Sequence, residues 1–247
     1  MNRDLEGYSR SYHELPFEAT QLEFRRRLVL EQIARYRPAS LLEVGCGMLP
    51  LFLDLDAAVD VTVVEPSAQF AEHARELASG WGAARVVEGF LESTEAPLQR
   101  GGHDFIVVSS LLHEVERPEC LLQALRGHCH ENTVIHVNVP NALSLHRLLA
   151  VEMGLIEDPF ALSSTQQRMQ QHSTFDLDSL VGLLESQGLE VLEKASYFIK
   201  PFTHAQMQVL CDSGFMTPSM LQGLAGLVRY LPDFGSEIYV NARPSNA

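Results

Sequence analysis

Apolar positions along the chain fall into short runs separated by amphipathic stretches, the arrangement that alternating strands and helices produce. Leu22, Val29, Ile33 and Tyr36 put a helical stripe on residues 18–37, and Pro38 stops that helix. Ser40–Val44 (SLLEV) reads as a short strand, followed by a turn at Gly45 and Gly47 and a short helical segment from Leu51. A second strand covers 61–65 (VTVVE), and Ser67 is placed to cap a helix running to about Ser79. A third strand is expected at 85–88 and a fourth at 104–109 (DFIVVS), whose nearly unbroken apolar character suits a parallel strand buried on both faces. A helix over Pro118–Arg126 leads into a fifth strand at 132–139 (NTVIHVNV). Such alternation predicts an α/β fold with a doubly wound sheet, in a single domain over residues 1–247.

The second half interrupts this rhythm. Residues 140–176, with a helix-like piece at 143–153 and a Gln-rich piece at 163–171, precede a helix at 177–187 and a strand at 189–199. A further stretch, 201–234, separates that strand from a last one at 236–242 (SEIYVNA). Loops this long in a compact domain are commonly lids or binding segments, so both insertions are expected to cap one edge of the sheet. Residues 1–38 form a lead-in in which Tyr8, Tyr12 and Phe17 either fold over the site or anchor the first helix.

Composition narrows the partners. A hydrophobic content of 46% in 247 residues supports one substantial core. The formal charge of −14, with no compensating basic run, argues against nucleic acid. No apolar stretch approaches the roughly 20 residues that span a bilayer, and the polar start is unlike a signal peptide, so no membrane partner and a cytoplasmic location are expected. Cys46, Cys120, Cys129 and Cys211 form no CxxC pair and are expected to be free thiols. His128, Cys129 and His130 lack a second ligand pair, and no metal is expected.

The strongest local signal is Glu43-Val-Gly45-Cys-Gly47 at the end of the first strand, where two glycines let backbone approach a ligand. Glu65, ending the second strand, is placed to accept hydrogen bonds from both hydroxyls of a ribose. A dinucleotide site would need a third glycine where Pro50 stands, and proline removes a backbone N–H from any pyrophosphate cradle. Glu43 suits instead a ligand carrying an ammonium and a sulfonium.

With LLEVGCG, VVEPS and HDFIVVSSLLHEV in this order, the chain resembles the class I S-adenosylmethionine-dependent methyltransferases across residues 39–139. The resemblance implies a Rossmann-like seven-stranded sheet with its last strand antiparallel. It implies S-adenosylmethionine as cofactor, with Gly45 and Gly47 facing the methionine part, Glu65 on the ribose and Ser109 near the sulfonium. Many members carry Gly-Asp after the third strand to bind the adenine amine; here Gly89 and Phe90 stand there, so packing on Phe90, the backbone near Leu91, or Glu92 is expected to serve adenine.

Methyl transfer needs a base only when the acceptor must lose a proton. His113 follows the fourth strand at the ligand-binding edge and is the candidate catalytic base, in the position of a histidine that serves some small-molecule O-methyltransferases. Glu114 is expected to be solvated or to cap a helix, and His136 to be a satisfied core histidine. Asn138 and Asn141 are candidates for binding acceptor hydroxyls, although turn formation beside Pro140 also favours asparagine. His146 and His172 in the first insertion, and His204 in the second, are candidates to line the acceptor pocket. A loose resemblance of 136–156, of QQHSTFD at 170–176 and of EIYVNA at 237–242 to methyltransferases of carbohydrate and natural-product pathways favours O-methylation of a sugar or hydroxylated metabolite. The alternatives are N-methylation of a small amine or a catalytically silent cofactor-binding subunit. A homodimer through residues 217–230 is a further expectation.

Overall fold

The computed structural model describes residues 15–94 and 98–245, so Tyr8 and Tyr12 lie outside the described residues. The apolar runs of the first half form β1 (Ser40–Val44), β2 (Asp60–Glu65), β3 (Ala84–Glu88), β4 (His103–Ser109) and β5 (Cys129–Pro140); β6 (Leu189–Tyr197) and β7 (Glu237–Pro244) follow. Together they make one seven-stranded sheet of order β3-β2-β1-β4-β5-β7-β6. The first five pair in parallel. β7 inserts antiparallel between β5 and β6.

Successive residues of a strand face opposite sides, and both sides are covered here, which is why the strands read as continuous apolar runs. Leu42, Ile106, Ile135 and Val137 pack with Leu121, Leu122 and Leu125 of α3 (Pro118–Arg126) and Leu180 and Leu184 of α6 (Leu177–Ser186). Leu41, Val61, Val63, Phe105 and Val107 pack on the other side with Val29 and Ile33 of α1 (Glu18–Tyr36) and Ala74 of α2 (Ala68–Ala78). Each fully buried side chain of this kind contributes about 1.5–3 kcal/mol. Ser67 caps α2 as expected, its Oγ accepting from Phe70 N at 3.4 Å.

The first insertion carries α4 (Leu145–Glu152) and α5 (Ser164–Arg168), and the second carries α7 (His204–Asp212) and α8 (Pro218–Gly226). Under the second insertion lies a separate cluster of Phe17, Phe24, Phe198, Met207 and Met216. Phe17 is 2% exposed and belongs to this anchor. β6 ends two residues before its expected limit because Phe198 adopts φ 54, a left-handed conformation that breaks the ladder. Among the described residues, no helix is long and apolar enough to cross a membrane.

Candidate active site

Strand order reverses between β1 and β4, and open α/β sheets bind ligands in the crevice that such a reversal opens at the carboxyl ends of the strands. A cavity of about 1250 Å³ lies there. Single small-molecule sites run to roughly 1,000 Å³, so this cavity has room for two ligands.

At one end the chain leaving β1 passes through Gly45 at φ 77 and Gly47 at φ 54, conformations that side chains with a Cβ resist. Glu65, 4% exposed at the end of β2, fixes this loop. Its Oε2 accepts from Cys46 N at 3.0 Å and Gly47 N at 3.2 Å, and its Oε1 from Ser67 N at 2.9 Å. Burial raises the Glu65 pKa against the opposing pull of these backbone bonds. Glu43 also borders the cavity, but its Oε2 accepts from Leu51 N at 2.9 Å, which makes it a support for the loop. Burial pushes its pKa up to about 8. Only a 3-10 turn, Leu51–Asp54, follows this loop, and its first N–H is already taken by Glu43. No helix N-terminus is therefore presented to a pyrophosphate, in agreement with the reading of Pro50.

Phe90 and Leu91 follow Gly89, whose φ is 142 and whose N–H donates to Glu65 O at 3.0 Å. Phe90 is 38% exposed and faces the cavity, as do Leu91 and Glu92. The buried Glu65 carboxylate as acceptor, a glycine loop and an open aromatic face together fit S-adenosylmethionine.

Ser109 ends β4 at the cavity, and Ser110 adopts φ 53, an uncommon conformation for a residue with a side chain. Asn138 holds it there. Its backbone and side-chain oxygens accept from Ser110 N at 2.9 and 3.1 Å, and its amide exchanges hydrogen bonds with Ser109 Oγ. Asn138 also donates to His136 Nε2 at 3.1 Å, while His136 Nδ1 donates to Asn241 Oδ1 at 2.7 Å. His136 is thus a fully satisfied core histidine, held neutral by burial, with a pKa near 4.

The expectation that Asn138 binds the acceptor is corrected, since it is 0% exposed, lies behind the cavity wall and has its amide engaged. Asn141 does border the cavity, but its Nδ2 donates to Asp233 O and Gly235 O, both at 2.9 Å, and its Oδ1 accepts from Leu143 N. It serves the turn and the second insertion rather than a ligand.

The turn held by Asn138 carries His113, 3% exposed and facing the cavity. Glu114 is 7% exposed and also borders it, with Oε1 at 3.9 Å from His113 Nε2, contrary to the expectation of a solvated carboxylate. The carbonyl of His113 accepts from His172 N at 2.8 Å and Ser173 N at 3.2 Å, tying the end of the first insertion to this turn. His172 itself is exposed at the cavity rim.

The far end of the cavity holds groups that sequence reasoning left out. Arg25 and Glu237 form a buried ion pair with contacts at 2.6–3.1 Å, joined by Gln21 and by the hydroxyl of Tyr197. Burial alone would raise the Glu237 pKa; the Arg25 charge and these hydrogen bonds bring it below the usual value. Beside the pair stand Lys200, His204 and His146, all bordering the cavity. His128, His130 and Cys129 do not converge: His128 Nδ1 accepts from Leu98 N, and His130 turns to Asp104. Among the described residues, no cluster suited to holding a metal ion is present.

A family model described as a methyltransferase domain matches residues 21–194. No curated protein matches the chain. Solved structures share its fold at low identity. The plantazolicin methyltransferase BamL, solved with a desmethylplantazolicin analogue and S-adenosylhomocysteine, has a TM-score of 0.60 at 15% identity, covering 97% of this chain and 90% of that one. A putative sarcosine dimethylglycine methyltransferase from Galdieria sulphuraria has a TM-score of 0.60 at 14% identity, covering 90% and 85%. The cyclase SpnF has a TM-score of 0.60 at 16% identity, covering 90% and 82%.

Proposed function

The chain belongs to the class I S-adenosylmethionine-dependent methyltransferases, and from that premise we propose that it methylates an oxygen of a sugar or another hydroxylated small metabolite. The observation that carries this reading is one continuous cavity lined both by Gly45, Glu65 and His113 and by residues of the two insertions, among them His146, Arg147 and His204. Bound S-adenosylmethionine supplies an electrophilic methyl group on a sulfonium. Gly45, Gly47 and Ser109 border its methionine part in this reading, and Phe90 and Leu91 offer the adenine a surface. Glu65 has three N–H partners against about four lone-pair positions of a carboxylate, which leaves it able to accept from a ribose hydroxyl.

His113 takes the acceptor's hydroxyl proton, and the carboxylate of Glu114 at 3.9 Å favours the charged ring that results. The bonds from His172 and Ser173 to the His113 carbonyl hold the insertion over this turn, excluding water and aligning the acceptor.

Transfer of a tritiated methyl group from S-adenosylmethionine to fractionated hydroxylated metabolites, with amines in parallel, tests the reading. Label is expected on an oxygen acceptor, and His113→Gln should lower kcat by about 10²–10⁴ while S-adenosylhomocysteine still binds. Label confined to amines would replace O- by N-methylation. Tight cofactor binding with no transfer to any acceptor would favour a silent subunit.

A further inference from the structure

The chain contains only two lysines, Lys194 and Lys200; all its other basic side chains, apart from histidine, are arginine. Lys194 is a surface residue pairing with Asp178. Lys200 is 2% exposed and lies against the large cavity, where the left-handed turn at Phe198 delivers the chain from β6 into the second insertion. Arginine would keep its charge in any environment, whereas a lysine ammonium is a compact donor that readily changes protonation when buried.

The surroundings of Lys200 leave its donors underused. Its Nζ lies 3.1 Å from His204 Nδ1 and 3.3 Å from Nε2, and among the described residues no carboxylate is within ion-pair distance. His146, reaching in from α4, has a buried Nδ1 with no hydrogen-bond partner. Both histidines border the same cavity. The charged groups around them are Glu18 and Arg25 from α1, Glu237 from β7 and Arg147 from α4. Glu237 is committed to Arg25, and Arg25 binds Glu18 at 3.2 Å. Arg147 is committed to the carbonyls of Pro159 and Ala161 and to Gln166. None of these fixed charges is a close partner for Lys200. Among the described residues Lys200 thus meets an imidazole and no carboxylate, and the only carboxylate near His204 Nε2 is Glu18 Oε2, at 3.9 Å. Buried charges are normally paired, and an ammonium without a carboxylate, set beside two histidines at a cavity, is the complement of an oxyanion.

From this geometry we infer that Lys200, His146 and His204 anchor a carboxylate carried by the methyl acceptor. The inference rests on the methyltransferase reading and specifies its substrate: a hydroxylated metabolite with a carboxylic acid remote from the methylated oxygen. The formal charge of −14 does not oppose an anionic acceptor here, because the cluster lies in a pocket that net charge does not describe. The depression of all three pKa values agrees with it. Burial brings Lys200 down to about 7 and His204 to about 3, and lowers His146; Glu237 and Glu18 offset this for Lys200, and Glu237 for His204, only in part, which leaves room for the counter-charge that a bound carboxylate would provide.

Two lysines make the test direct. Protein labelled with 13C at lysine Cε shows one resonance for each, with Lys200 assigned by its loss in Lys200→Met. The probes are benzoate and its neutral counterpart benzyl alcohol, added to protein saturated with S-adenosylhomocysteine. Benzoate is expected to move the Lys200 titration to higher pH and to bind at least about tenfold more tightly than benzyl alcohol, the effect of one charge-assisted hydrogen bond. His146→Gln and His204→Gln should each weaken benzoate and leave benzyl alcohol unchanged, which keeps the test independent of whether Lys200→Met folds. Equal affinities, an unmoved Lys200 titration, or no benzoate binding would overturn the anchor. Failure of S-adenosylhomocysteine to bind would instead overturn the methyltransferase reading beneath it.

Discussion

Glu43 and Glu65 occupy equivalent places at the ends of neighbouring strands, yet hydrogen bonding divides their roles. Glu65 keeps capacity toward the cavity, whereas Glu43 is tied to Leu51 and is pushed by burial to a pKa of about 8. A carboxyl whose folded pKa lies above its unfolded value binds more protons when folded, so the stability associated with Glu43 falls as pH rises from about 4.5 to about 8. Glu43→Gln removes this dependence. Denaturant titrations across that window should show the variant gaining on the natural protein by up to about 1.4 kcal/mol per pH unit. A constant difference would mean that Glu43 is ionised throughout. Asn138 gives the second residue-scale prediction. Asn138→Ala removes the donor to His136 Nε2 and the second of the two acceptors of Ser110 N, which keeps only the backbone oxygen of residue 138, and leaving a buried polar group such as His136 Nε2 unpartnered costs about 1–3 kcal/mol. Because Ser110 begins the turn to His113, kcat should fall more than KM rises; steady-state kinetics with an identified acceptor would reveal the reverse if Asn138 contacted substrate.

Between elements, the Arg25–Glu237 pair joins α1 to the start of β7 at the cavity wall. Removing one partner of a buried pair leaves a charge without compensation, so Arg25→Ala should destabilise the protein by about 3–5 kcal/mol in urea unfolding. A loss below about 1 kcal/mol would mean that water replaces the guanidinium, as at an exposed pair. This pair shows where sequence reading stops. The strands were legible because burial on both faces writes itself as SLLEV, VTVVE and DFIVVS, and the cap of α2 because Ser67 directly precedes its apolar face. Arg25 and Glu237 are 212 positions apart, and each alone resembles a surface charge. Nothing local in the sequence joins them.

Across the whole molecule, the end of the cavity proposed for the cofactor is built from one contiguous run of βα units, so the residues that border it, such as Gly45, Gly47 and Glu65, stand at spacings that the sequence displays. The end proposed for the acceptor draws on α1, both insertions and the β6 exit, elements far apart in sequence that meet only in the folded chain. There the sequence supplied His146 and His204 as separate candidates; the signal that unites them with Lys200 is the scarcity of lysine, which spacing arguments do not weigh. Asn138 and Asn141 misled for the opposite reason: asparagines near Pro140 look like ligand contacts, and the fold uses both amides internally. The family's fold also accommodates the cyclase SpnF, so the fold by itself does not fix the reaction. What the proposed function requires first is that S-adenosylmethionine bind at Glu65. Isothermal titration of the natural protein and of Glu65→Ala with S-adenosylhomocysteine examines this most directly. The account predicts saturable one-to-one binding that weakens at least about tenfold in the variant, while its folding is retained. No binding by the folded natural protein, or the same affinity in both, would contradict it.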